Sequence, residues 1–181
     1  MFLIPQVAYR DALLAWHDFY VTAGGAAAAL TGLLFVGLSL HLRTVVAHPE
    51  VRSLARITLS NFFVVLLVAL FCLIPTSEPV GTAVSLLSVA VGALVLLVPS
   101  GITGIRRRRA AAIGASVLAR RFALSGLAYF ALGGIALAIA FGQPETGLGW
   151  LVGTVAILLL VGVRNTWDLL VTVGDKSASQ H

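Results

Sequence analysis

Residues 19–41 read FYVTAGGAAAALTGLLFVGLSLH, a run of 23 residues without a single Asp, Glu, Lys or Arg. A helix needs about 20 predominantly apolar residues to cross the hydrocarbon core of a bilayer. Because backbone groups in lipid must be hydrogen-bonded within the protein, a helix is the expected form of such a run. Four more runs follow, and the predicted spans are residues 19–41, 57–75, 80–104, 122–142 and 148–170.

The composition of the whole chain agrees with a membrane protein. Of the 181 residues, 59% are hydrophobic and only 10% are charged, whereas soluble domains carry about 25% charged residues. This excludes an ordinary cytosolic enzyme and a nucleic-acid-binding domain in water. Short Pro-containing segments at 76–79 and 143–147 predict two antiparallel helical hairpins. The predicted fold class is all-α: one membrane domain over residues 1–181, an integral bundle of five transmembrane helices.

The basic residues predict the orientation of the bundle. If the five spans alternate in direction, 11 of the 12 Lys and Arg residues lie on one side and Arg10 lies on the other. Cytoplasmic loops collect positive charge, which predicts an N-out/C-in protein of the inner membrane. The richness in Arg, Ala, Val, Leu and Gly favours a bacterial origin. Six arginines are predicted to bind anionic lipids at the inner face: Arg106, Arg107, Arg108, Arg109, Arg120 and Arg121.

Small residues recur at intervals of four in several spans. In the first span these are Gly24, Ala28 and Gly32. Such spacing lets a second backbone approach closely, so it predicts helix-packing seams in a bundle that is a homo-oligomer or binds a partner membrane protein. The same spacing marks Gly134 with Ala138 and Gly149 with Gly153.

Two groups of polar residues are candidates near the first two spans. Asp18 is placed to cap the first span, and the alternative role of His17 and Asp18 is metal binding or proton relay. His41 is expected at the membrane interface. Asn61 is an isolated amide in the second span, which predicts a hydrogen bond to a neighbouring helix.

A third polar group follows the apolar part of the last span. Arg164 and Asp168 are one turn apart, so they are predicted to pair and to anchor the end of the last helix. The alternative is a polar inner mouth at which Asn165 or Asp168 meets a substrate or partner.

Several chemistries lack the residues that they need. The sequence has no HExxH metalloprotease helix, no GxSxG nucleophile elbow and no Walker A loop. The single cysteine, Cys72, excludes an internal disulfide. We therefore predict no catalytic residue, metal or cofactor, and no nucleic-acid partner.

The first 75 residues or so contain four distinctive segments: Trp16–Phe19, the Gly/Ala run from Gly24 to Ala29, Leu33–Val36 and Ile74–Pro75. In these segments the chain resembles an uncharacterised bacterial family of small multispanning membrane proteins. Members are sometimes labelled as modulators of a membrane-bound AAA protease. The resemblance implies a regulatory partner and supplies no catalytic residue.

These observations favour a non-enzymatic membrane protein that acts through helix–helix, lipid or partner-protein contacts, such as a regulator or accessory subunit. The alternative is a small oligomeric channel or facilitator lined by Thr22, Thr31 and Ser39 of the first span. An enzyme acting on lipid through His41, Asn165 and Asp168 is the weakest hypothesis.

Overall fold

The computed structural model describes residues 3–74, 78–108 and 115–178, and within them the side chains of residues 9–43, 45–48, 51–74, 78–97 and 122–174. All regular elements in these ranges are α-helices, so the all-α prediction is confirmed. They are α1 (Leu3–Ala15), α2 (His17–Leu40), α3 (Leu42–Ala47), α4 (Pro49–Leu73), α5 (Pro79–Arg108), α6 (Ala115–Ala140) and α7 (Pro144–Ala178).

Five of these helices, α2, α4, α5, α6 and α7, are long and apolar enough to cross a membrane. Each corresponds to one predicted span, which confirms the five-span prediction. The agreement follows from a simple physical demand, since a spanning segment must be about 20 residues long and almost free of charge.

Successive spanning helices run in opposite directions. Gly24, near the start of α2, faces Ala69, near the end of α4, and Gly126 of α6 faces Leu97 of α5. We call the end of the bundle that holds the start of α2 and the end of α4 the N side, and the opposite end the C side.

Helix α4 lies at the centre of the bundle, in contact with α2, α5 and α7. Half of its apolar window is buried, more than in any other spanning helix. Two clusters of buried side chains surround it. The larger lies towards the N side and includes Tyr20, Val68, Leu86, Leu132 and Leu151; the smaller lies towards the C side and includes Leu34, Leu54, Phe62, Leu169 and Val173.

The turn between α6 and α7 is shorter than the predicted segment 143–147. Gly142 has a φ of +89°, a left-handed conformation that favours glycine. The backbone N–H of Gln143 donates to the oxygen of Ala138 at 3.0 Å, a six-residue closure of the Schellman type. Pro144 then begins α7, because its fixed φ suits the first turn of a helix.

The last helix extends well beyond Arg164 and Asp168 and past the predicted end of the last span at residue 170, while the anchoring of these two residues at the membrane boundary stays a prediction. Helix α7 continues to Ala178. Leu169 and Val173 are buried in the same cluster as Val51 and Leu54 of α4. This apolar contact stabilises the helix past the two charged residues.

Candidate functional site

The outward face of α2 carries predicted packing residues that the described residues of the other helices leave uncovered. Gly24 is buried, and a Cβ built on it would lie 3.0 Å from Cβ of Ala69. Ala28 and Gly32 are exposed, and no described residue of another helix lies within 4 Å of a Cβ at Gly32. A four-residue step turns about 40° around a helix, so a seam that begins inward at Gly24 has rotated outward by Gly32.

Four exposed small residues share this outward face, and we call them the α2 stripe. At 100° per residue, these four residues span an arc of about 100° around the helix. The α2 stripe consists of Gly25, Ala28, Ala29 and Gly32. It forms a flat strip to which another helix backbone can come close.

The remaining predicted seams also lie at the surface. Gly134, Gly149 and Gly153 are exposed, and within the described ranges nothing from another helix comes within 4 Å of a Cβ on any of them. Ala138 is half-buried. Within the chain, these positions do not form the close helix contacts.

Two glycines that were not among the predicted packing residues form the closest contacts between helices. A Cβ on Gly147 of α7 would lie 2.5 Å from Cγ1 of Ile139 of α6, and a Cβ on Gly162 would lie 2.5 Å from Cε1 of Phe62 of α4. Sequence reasoning missed them because each is paired with a large side chain, and no small residue four positions away signals it.

A buried hydrogen-bond network joins α4 to α6. The Asn61 amide donates from Nδ2 to Oγ of Ser125 at 3.1 Å, and the Tyr129 hydroxyl donates to Oδ1 of Asn61 at 2.6 Å. The same hydroxyl lies 3.3 Å from Oγ of Ser60. Asn61, Ser125 and Tyr129 are fully buried. The predicted bond between Asn61 and a neighbouring helix is confirmed, and Asn61 serves helix packing.

The residues at the start of α2 do not form the predicted cap. The helix begins at His17, and its N-cap residue is Trp16, which makes no side-chain capping bond. Asp18 is therefore in the first turn, two positions after the N-cap residue, and does not cap the helix. Its carboxylate lies 3.2 Å from Nδ1 of His17, with both side chains exposed. Among the described residues, no group of three potential metal ligands occurs.

The polar residues towards the C side are spread over different environments. His41 is half-buried where α2 ends, with Nδ1 3.2 Å from the backbone oxygen of Gly37. Arg164 is exposed and Asp168 is half-buried. Asn165 is buried, and its Nδ2 finds no hydrogen-bond partner among the described residues. A burial of this degree places Asn165 within the bundle rather than at an open mouth.

The hydroxyl groups of the first span are engaged within their own helix. Thr22, Thr31 and Ser39 donate to the backbone oxygens of Asp18, Ala27 and Val36 at 2.8 Å each. Thr22 and Thr31 are nine residues apart, which places them about 180° apart around the helix. In a single copy of the chain they do not share one face.

The predicted lipid-binding arginines fall mostly outside the described side chains. Arg106, Arg107 and Arg108 end α5, and Arg120 and Arg121 lie in the second turn of α6. Arg109 lies outside the described residues altogether, as do the side chains of the other five. Their contact with anionic lipid stays a prediction.

Comparison of the chain with protein-family models, curated proteins and solved structures finds no match.

Proposed function

We propose that this chain is a non-enzymatic membrane component that acts by binding a partner helix through the α2 stripe. The observation that carries the proposal is the open space at Gly32 on an exposed strip of small residues. Helix α2 is also the least buried span, with 22% of its apolar window covered against 33–50% for the other four.

The physical argument rests on what drives helices together in lipid. Lipid tails are as apolar as leucine, so association depends on close van der Waals contact, and small residues permit it. The large neighbours of the α2 stripe, Leu33, Phe35 and Val36, are also exposed. They can pack beside a helix that lies on the stripe. That helix belongs either to a second copy of this chain or to another membrane protein.

The proposal includes the place of the protein in the cell. We propose an inner-membrane protein of a bacterium with its N-terminus outside and its C-terminus in the cytoplasm. The distribution of the 12 basic residues supports this orientation.

Two measurements test the proposed function. Native mass spectrometry of the protein extracted gently from its own membranes reveals whether a second copy or a foreign subunit is bound. The same measurement on Gly32→Leu is expected to show at least a tenfold loss of the bound partner. A Cβ at this position lies more than 4 Å from every described residue of another helix, so the substitution is expected to leave the fold intact.

Gly81→Leu is the matched control, because Gly81 is exposed on α5 with open space around its Cβ position. It is expected to keep the partner. A protein that carries neither a copy nor a subunit, or a Gly32→Leu variant that keeps its partner fully, would contradict the proposed function.

A further inference from the structure

A groove of about 460 Å³ runs along the surface of the bundle between α4 and α5. It begins near the C side and extends past the middle of α4. Its walls are almost entirely apolar and are formed mainly by Leu59, Phe63, Leu67 and Phe71 of α4 and by Val89 and Leu96 of α5.

The small side chains of α5 keep this space open. Ser88, Gly92 and Ala93 line it opposite the larger residues of α4. No described residue of another helix lies within 4 Å of a Cβ built on Gly92. An apolar chain that enters the groove from the bilayer makes dispersion contacts with its walls and is stabilised there.

Two polar residues lie at one end of the groove. Arg56 lines it, with Ser60 one turn further along α4. Arg56 is exposed, and across the described ranges its guanidinium makes no hydrogen bond or ion pair. The neighbouring Arg52, in contrast, donates to the backbone oxygen of Val46 at 2.6 Å. The N–H donors of Arg56 therefore have no acceptor among the described residues and can bind an anion.

Arg56 lies at the depth of a lipid headgroup. At 1.5 Å per residue, the part of α4 from Arg56 to its last residue, Leu73, is about 26 Å long. The hydrocarbon core is about 30 Å thick, so an arginine side chain at this depth reaches the headgroup layer. From Arg56 to Phe71 the groove follows α4 for about 22 Å, which accommodates an extended acyl chain.

We infer that this groove binds one anionic phospholipid of the C-side leaflet, with its phosphate on Arg56 and one acyl chain between α4 and α5. A molecule with an anionic head and an apolar tail matches a groove that is basic at one end and apolar elsewhere. The planar guanidinium can hold two phosphate oxygens at once. This site is separate from the α2 stripe and does not depend on the proposed function.

The test places the full-length chain in nanodiscs of equal phosphatidylglycerol and phosphatidylcholine and counts retained lipids by native mass spectrometry. One phosphatidylglycerol is expected to be retained in preference to phosphatidylcholine. Arg56→Gln is expected to reduce that retention about tenfold, the usual effect of losing a charged hydrogen bond. Arg43→Gln removes the same charge from exposed α3 on the same side and is expected to change little.

A second pair of variants tests the apolar part of the groove. Gly92→Phe fills it and is expected to abolish retention of the lipid, whereas Gly81→Phe adds the same ring to α5 outside the groove and is expected to retain it. Circular dichroism checks the fold of both, and Arg56→Gln tests the site without any added bulk.

Three results would overturn the inference. The first is equal retention of the two lipids with no effect of Arg56→Gln. The second is a retained mass that matches a fatty acid instead of a phospholipid. The third is a Gly92→Phe variant that keeps its lipid but loses self-association, which would assign the groove to a second copy of the chain.

Discussion

The hydroxyl of Tyr129 donates a hydrogen bond in the middle of the bundle, where water cannot replace a lost hydrogen-bond partner. It bonds Oδ1 of Asn61 at 2.6 Å and lies near Ser60. Tyr129→Phe leaves the buried oxygen of Asn61 without this donor. We expect the free energy of unfolding to fall by about 1–2 kcal/mol, measured by denaturant titration in bicelles.

Tyr20→Phe is the control for this prediction. Tyr20 is also fully buried, but its hydroxyl has no nitrogen or oxygen partner in the described part of the chain and lies beside the thiol of Cys72, which is only a weak hydrogen-bonding group. Removing that hydroxyl is expected to change the stability little. Equal losses in the two variants would mean that the network between α4 and α6 contributes nothing specific.

Single polar residues show what the sequence can and cannot predict at this scale. The amide of Asn61 must find a partner in lipid, so its bond to another helix was predictable. Its partners Ser125 and Tyr129 were not, because a hydroxyl can also bond its own helix, as Thr58 does to Leu54 at 2.8 Å. The predicted cap by Asp18 is wrong because helix α2 starts at His17, two residues earlier than a cap at Asp18 requires.

At the scale of helices, glycines decide which pairs come closest. Gly162 lets α7 lie against the ring of Phe62, which is fully buried and surrounded. Gly162→Ala would place a methyl group 2.5 Å from Cε1 of Phe62. Because the ring is fully buried, either the ring must shift within the core or α4 and α7 must separate. We expect the unfolding free energy to fall by about 1–3 kcal/mol.

Gly153→Ala on the same helix serves as the matched control, since its Cβ position is open. Alanine is the better helix former, so stability is expected to stay constant or rise by up to about 1 kcal/mol. Adding Phe62→Leu to Gly162→Ala should recover part of the loss. If Gly162→Ala proves as stable as Gly153→Ala, the close contact between α4 and α7 is refuted.

These glycines also explain why the helix contacts were harder to predict than the helices. A four-residue repeat of small residues marks a face on which close approach is feasible, but it does not identify the occupant. Gly24 meets α4, while Gly32, on the same repeat, has open space. Gly147 and Gly162 accept large side chains from Ile139 and Phe62, so they needed no small neighbour.

At the scale of the whole molecule, the five spans were predictable because lipid imposes length and low charge on each one. The arrangement of the other four spanning helices around α4 could not be predicted. All five helices are apolar on most faces, so hydropathy does not distinguish a protein-facing side from a lipid-facing side. The exposed Leu33, Leu127 and Phe130 differ little in type from the buried Leu132 and Phe62.

The orientation of the bundle is the last prediction, and it concerns the chain as a unit. Alternating spans are predicted to hold 11 of the 12 basic residues on the C side. The chain is therefore expected to hold that side in the cytoplasm, because translocation of Lys and Arg is disfavoured. A fluorescent protein fused after His181 should fluoresce, and alkaline phosphatase fused there should be inactive. Replacing Arg106–Arg109, Arg120 and Arg121 with Gln removes half of the basic residues and should yield a mixed orientation in which both reporters are active.

The same number of replacements of uncharged exposed residues on α5 and α6 should leave the reporters unchanged. Active phosphatase on the unmodified chain would reverse the orientation, and it would move the headgroup end of the α4–α5 groove to the outer leaflet.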